Sequence, residues 1–464
     1  MSTPDRLVDS DSSTAAILRD PDRETELLVG IAQRVLDRAD AGGADQAEVS
    51  LGSSLAREAV VRLGEVETLE EARDRSIQVT VYRGQCVGSA STGDLRPQAI
   101  DETVERALAI ARYTQPDRAA GLAEARLMAT ECPDLDLWHP QDIPLDDLIA
   151  RARLIEQAGR GADARVDNSE GASVATEASI GVYANSHGFI GRRRGTTYSQ
   201  SCILIARDQA GMQRDHDWDS ARRFEDLATP EKTGGGAAER AVRRLGARRI
   251  GTGRMPVIFT PEVARSLIGH LVAAVSGGNL YRRSSYLLDA IGERVLPDWA
   301  SLIERPLLPR AARSAAFDGD GVATRESPLV ERGILDRYVL GSYSARRLGL
   351  ESTANAGGVR NLELTGGSGD LDQLLARMGD GLMVTELMGQ GVNLVTGDYS
   401  RGASGFRIEQ GAIAYPVEEI TIAGGLREML GSLVAAGADV DARRNIRTGS
   451  LLVGEMTVAG QQEQ

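Results

Sequence analysis

The second half of the chain is a succession of short period-two runs cut by glycine, and few folds accommodate that pattern. Leu382–Glu386, Val392–Val395, Gly405–Ile408, Ala412–Tyr415 and Glu419–Ile422 follow one another in this way. Alternation between turn residues predicts antiparallel strands. Glycine inside a strand marks a bulge or a close backbone approach. With 52 glycines in 464 residues, the pattern predicts a strongly twisted, tightly curled sheet. Helices are expected at Pro261–Val275, from Asp370 to Met378 and near Leu426–Ala436, and a last strand near Ser450–Val458.

The first half has a different rhythm. Leu27, Leu28, Ile31, Val35 and Leu36 fall at helical spacing between Glu24 and Ala41, and Gly42 and Gly43 stop that helix. Alternating segments follow at Ala47–Leu51, Ala59–Leu69, Ile77–Tyr82 and Cys86–Ala90, then a helix from Pro97 to Tyr113. Thr114 to Pro144 carries four prolines and reads as a connector pinned to a surface. A helix from Leu145 to Gly159 precedes strands Ala172–Tyr183 and Gly188–Ala206, joined through Asn185-Ser186-His187-Gly188. Gly234–Gly236 precede an Arg-rich helix. The expectation is an α+β protein with three parts. Residues 1–22 form a flexible lead-in, residues 23–225 an N-terminal α/β domain with antiparallel strands, and residues 226–464 a C-terminal twisted β-sheet domain with helices.

Composition narrows the function. With 42% hydrophobic and 26% charged residues the chain is globular. The longest apolar stretch, Leu267–Val275, is too short to span a bilayer and contains His270. Met1–Ser13 has no basic-then-apolar leader, and Cys86, Cys132 and Cys202 form no CxxC pair, so a cytoplasmic protein with reduced thiols is expected. A net charge of −14 argues against direct binding of nucleic acid. Lys232 is the only lysine, so Arg192–Arg194, Arg243–Arg244 and Arg248–Arg249 read as generic surface cations.

No H-E-x-x-H, G-x-S-x-G or P-loop pattern occurs, and His139, His187, His216 and His270 are far apart. His187 suits its turn. His270, on an apolar helix that Thr260 could cap, reads as a helix-face histidine with a satisfied hydrogen bond. The segment from Gly397 to Phe406 sets Asp398, Tyr399 and Arg401 between glycines. It fits either a groove where backbone meets a peptide or a tight turn in which Asp398 and Arg401 pair.

Longer motifs carry a resemblance. TELMGQGVNLVTGDYSRGASGF (385–406), YPVEEITIAG (415–424), VYANSHGF (182–189) and SYSARRLGL (342–350) are similar to the TldD/PmbA metallopeptidase family, also known as modulators of DNA gyrase, and to its PmbA (TldE) branch. The resemblance covers nearly the whole chain. It implies a subunit of a cytoplasmic heterodimeric zinc metallopeptidase that degrades unstructured peptides in a closed chamber and processes microcin-type peptides.

In the TldD branch zinc is held by H-E-x-x-x-H plus a cysteine. Here the matching window is Arg265-Ser266-Leu267-Ile268-Gly269-His270, and the resemblance puts Thr448 at the place of the thiolate. Only His270 of the ligand set survives, and one imidazole without a carboxylate neither holds zinc nor activates water. The expectation is a chain with no catalytic or metal-ligating residue of its own. The degenerate remnant is Arg265, Ser266, His270 and Thr448. The cofactor, zinc, would sit in a TldD-like partner. Glu386, Asp398, Tyr399 and Arg401 are the substrate-groove or interface candidates. Homodimerisation in the partner's absence stays open. The alternatives are a self-sufficient metallopeptidase and a regulator of gyrase or of a toxin–antitoxin pair.

Overall fold

A computed structural model describes residues 14–209 and 211–460. The expected lead-in therefore lies outside the described residues up to residue 13. Beyond it, residues 14–22 are helical: α1 (Thr14–Arg19) is followed by α2 (Pro21–Ala41), which begins at Pro21 with Asp20 accepting from Arg23 N at 3.0 Å. Ile17 is buried, which ties α1 to the body of the protein.

The first sheet has six antiparallel strands: β1 (Gln46–Arg62), β2 (Glu65–Arg83), β3 (Cys86–Thr92), β4 (Val166–Asn185), β5 (Ile190–Arg207) and β6 (Met212–Ala221), in the order β3-β2-β1-β4-β5-β6. The hairpin through Asn185–Gly188 forms as expected. The segment Ala59–Leu69 differs from expectation, because Leu63 and Gly64 turn the chain at positive φ and split it between β1 and β2. All four larger helices lie on one face. Val49, Leu51, Ile77, Val79, Ile180 and Val182 meet α2 and α3 (Pro97–Tyr113). Further along the same face, Val61, Val174 and Leu204 meet α4 (Leu145–Ala162) and α5 (Pro230–Arg243).

Gly234–Gly236 sit inside α5 rather than before it. A Cβ at Gly234 would lie 2.1 Å from the Ile155 carbonyl oxygen, so the glycines let α5 press its backbone onto α4. A close helix contact outweighs the poor helix propensity of glycine here. The helix thereby completes the first lobe's core.

The second lobe closes on itself. Strand Gly381–Met388 pairs with Gly253–Phe259, which pairs with Leu451–Ala459, then Ala412–Gly425, then Asp398–Glu409, and the last pairs back to Gly381–Met388. The expected curl is thus a complete ring, antiparallel except for one pair. Its tightness depends on Gly405, where a Cβ would lie 1.9 Å from the Met383 carbonyl oxygen beside the register shifts of both neighbouring pairs. The helix α6 (Pro261–Ala274) packs Ala264, Leu267, Ile268 and Leu271 on one side of the ring with Phe259, Ala403 and Ile422. Leu374, Leu375 and Met378 cover the other side. A second sheet of five short strands completes this lobe. The helix expected at Leu426–Ala436 stops at Gly431, and Leu433–Ala436 pairs with the last strand instead. No helix among the described residues is long and apolar enough to cross a membrane.

Arginine fastens the lobes and the connector. Arg346 donates to the carbonyls of Ala119, Gly121 and Leu122, and Arg222 to those of Ala311 and Ala312. Arg193 donates to the Phe317 and Asp318 carbonyls at 3.0 and 2.6 Å. Arg193, expected as a generic surface cation, is therefore a structural tie.

Candidate functional site

The helix α6 carries the residues singled out by sequence. Pro261 opens it with a fixed φ. Thr260 does not cap it: its hydroxyl donates to the Val384 carbonyl at 3.2 Å, anchoring the helix start to the ring. The helix is α-helical throughout, with no distortion near Gly269. At 3.6 residues per turn, positions 265 and 270 stand about 140° apart, so they do not converge. Arg265 is exposed and its Nε donates to the Glu262 carbonyl; Ser266 Oγ donates to the Val263 carbonyl at 2.7 Å. The strand Ile446–Arg447 packs on the same helix, with Ile446 Cδ1 3.8 Å from a Cβ built at Gly269. Thr448 follows it, buried, its hydroxyl donating to the Gly449 carbonyl at 3.0 Å.

His270 points inward. Its Nε2 is buried without a hydrogen-bond partner, against the expectation of a satisfied histidine. Its ring meets Tyr399 edge-to-face at 6.0 Å. Tyr399 is 2% exposed, and its Oη is also buried and unpartnered. Arg401, two residues along the same strand, approaches the phenol without a well-aligned hydrogen bond; its Nε donates to the Gly389 carbonyl at 3.0 Å. Burial lowers the His270 imidazole below its ordinary value and the Arg401 guanidinium adds to this. Burial pushes the Tyr399 phenol up to about 12, with Arg401 opposing. Each unpaired buried polar atom costs about 1–3 kcal/mol.

The four groove candidates separate. Tyr399 and Arg401 join His270. Asp398 lies at the strand start, accepting from the Thr396 hydroxyl, and forms no pair with Arg401, so the tight-turn reading of 397–406 falls: that segment is strand. Successive strand residues point to opposite faces, which sends 398 away from 399 and 401. Glu386 belongs to a cleft of about 540 Å³ between the lobes, lined by β6, α5, the start of α6 and residues 439–443.

That cleft is saturated with ion pairs. Glu262 accepts from Arg240 at 2.8 and 2.9 Å. Arg244 reaches Glu386 at 2.7 Å and Asp215 at 3.4 Å. Arg443 holds Asp441 at 2.8 Å and donates to the Trp218 carbonyl, and both Arg443 and Arg444 lie over the Trp218 ring at 4.2 and 3.9 Å. Sequence reasoning missed Trp218, Arg240, Glu262 and Arg443, because no local spacing links residues contributed by four separate elements.

Models of the PmbA/TldA metallopeptidase family match residues 47–111 as domain 1, 138–247 as the central domain and 252–460 as the C-terminal domain. The chain belongs to the PmbA/TldD metallopeptidase family. It is 46% identical to the metalloprotease PmbA of Escherichia coli O157:H7 over 90% of this chain and 93% of that one. It is 44% identical to a PmbA homologue of Haemophilus influenzae over 97% and 99%. A crystal structure from Bacteroides thetaiotaomicron, described as a modulator of DNA gyrase, superposes with a TM-score of 0.89 at 28% identity, covering 93% of this chain and 99% of that one.

Membership of the PmbA/TldD family raises the question of a metal. The donors at α6 do not fit one: an arginine and a serine occupied with helix carbonyls, one buried imidazole, and a threonine hydroxyl turned to its own backbone. Among the described residues no group of three or more His, Cys, Asp or Glu side chains could hold a metal ion. A thiolate or imidazole set is what zinc requires.

Proposed function

We propose that this chain is the non-catalytic PmbA/TldE-type subunit of a heterodimeric zinc metallopeptidase in the cytoplasm, acting on unstructured or short peptides, microcin-type precursors among them. A TldD-like partner supplies the zinc and the water-activating carboxylate. This chain shapes the chamber and keeps the partner active.

One observation carries the reading: the α6 window offers His270 alone, on an undistorted helix whose Arg265 and Ser266 are committed to backbone carbonyls. The chain's own residues therefore bind and orient a peptide rather than cleave it. The test is to purify the chain alone and mixed with a partner bearing H-E-x-x-x-H, then measure zinc and peptide cleavage. Sub-stoichiometric zinc and no cleavage alone, with cleavage on mixing, is the expected outcome. Stoichiometric zinc and chelator-sensitive cleavage by the lone chain would overturn it in favour of a self-sufficient metallopeptidase, a reading that the metalloprotease description of the PmbA relatives keeps alive. The description of the Bacteroides structure favours a second reading, regulation of gyrase. Direct gyrase binding without the peptidase partner would support that instead.

A further inference from the structure

We infer that His270, Tyr399 and Arg401 form a recognition site for a carboxylate of the bound peptide, occupying the place on α6 where the zinc motif has decayed. The inference rests on the peptide-handling reading above and names what part of the peptide this lobe takes.

Two facts independent of the family point there. The Tyr399 Oη and His270 Nε2 are both buried and both without a hydrogen-bond partner, although their rings touch edge-to-face at 6.0 Å. Buried polar atoms in folded proteins are nearly always paired, so two orphans side by side mark a place where a partner is missing. Arg401 shares the face of Tyr399 two residues along the same strand, donates its Nε to the Gly389 carbonyl, and makes no ion pair among the described residues. This contrasts with Arg240, Arg244 and Arg443 of the interlobe cleft, which are paired with carboxylates. A phenol O–H and a guanidinium are donors, the neutral imidazole donates from Nε2 in its Nε2–H tautomer, and the guanidinium supplies a positive charge. The complementary ligand is an oxyanion with more than one lone pair, and in a peptide that is a carboxylate. His270 and Arg401 are each half-buried, while Nε2 of His270 and Oη of Tyr399 are fully covered, so a ligand reaches them by displacing what covers them.

The carboxylate has two sources, the peptide C-terminus and an acidic side chain. The experiment separates them with three fluorescent extended peptides of the same Gly/Ser/Ala sequence: one ending in a free acid, one amidated, and one amidated with an internal Glu. Binding to the full chain is read by anisotropy, alone and in complex with its partner. The free acid, or the internal Glu peptide, is expected to bind roughly tenfold or more tightly than the plain amide. Tyr399→Phe should reduce that preference to the amide level. It should do so without lowering the melting temperature, because the hydroxyl it removes makes no well-aligned hydrogen bond and has only the approach of Arg401. Arg401→Gln should do the same for affinity. Tyr286→Phe, which removes another buried unpartnered hydroxyl, should leave the preference intact.

Equal binding of all three peptides, or a preference that survives Tyr399→Phe, overturns the inference and leaves a bridging water as the orphans' partner. Cleavage by the mixed subunits is measured in parallel. Partner-dependent cleavage without carboxylate preference sinks this inference alone. Carboxylate preference without partner-dependent cleavage sinks the subunit reading and keeps the site.

Discussion

The interlobe cleft and the His270 pocket lie at opposite ends of one idea about polar groups. In the cleft, Arg240, Arg244 and Arg443 meet Glu262, Glu386, Asp215 and Asp441 at hydrogen-bonding distances, and Trp218 lies under two guanidiniums. In the His270–Tyr399 cluster, a phenol oxygen and one imidazole nitrogen are buried without a hydrogen-bond partner, on the ring face of a strand whose Arg401 makes no ion pair among the described residues. A saturated network is a strut: it fixes how α5, β6 and α6 sit together. An unsaturated one holds capacity in reserve, since its donors are desolvated but unspent. The cleft is an opening of about 540 Å³ whose named charges are spent on one another, whereas the His270–Tyr399 cluster keeps polar atoms without partners.

This contrast can be broken by mutation. The largest effect should come from Arg244→Ala, which leaves Asp215 with His216 and Glu386 with the Ser404 hydroxyl. It should destabilise the protein by about 2 kcal/mol, mostly through Asp215, the more buried of the two, read by urea denaturation. A change near zero would mean the cleft network is solvent-relaxed and not a strut.

Arg443→Ala should cost about 1–2 kcal/mol by removing the Asp441 pair, the Trp218 carbonyl bond and one cation–π contact. Its effect should be non-additive with Trp218→Ala in a double-mutant cycle.

His216 gives a smaller, pH-dependent signal. Its hydrogen bond to Asp215 raises the imidazole above its ordinary value, so the folded state favours the imidazolium. The stabilisation is complete below the unfolded value of about 6.5 and fades as the pH climbs through the raised folded value. His216→Gln should flatten melting temperature against pH across that window, by less than about 1 kcal/mol for a half-exposed pair.

The smallest effect is the most discriminating. Tyr399→Phe should leave stability within about 0.5 kcal/mol of the parent, or above it, as no internal hydrogen bond is lost. A loss above 1 kcal/mol would show that the hydroxyl has a structural partner after all.

Much of the fold was legible locally. The helices Pro97–Tyr113 and Leu371–Met378 follow from proline or an Asp370 capping box at their starts and apolar spacing within. The β4–β5 hairpin follows from its turn tetrapeptide. The failures share a cause. Gly234–Gly236 looked like a helix boundary, but contact with α4 makes small residues necessary inside α5. Leu433–Ala436 looked helical, but a neighbouring strand supplies its hydrogen bonds. Of the two readings of 397–406, a groove or a tight turn with Asp398 paired to Arg401, the turn falls because strand geometry separates the two side chains.

By itself the sequence determined the family, the absence of an H-E-x-x-H pattern and the curled character of the second lobe. These depend on residue identity at set spacing and on glycine, which act through local backbone geometry and chemical type. Only the tertiary structure decided that the curl closes into a ring, that the arginines are ties between lobes, and that His270 and Tyr399 bury their polar atoms together. Such outcomes depend on which surfaces exclude water from which atoms, and water is excluded by parts of the chain far apart in sequence.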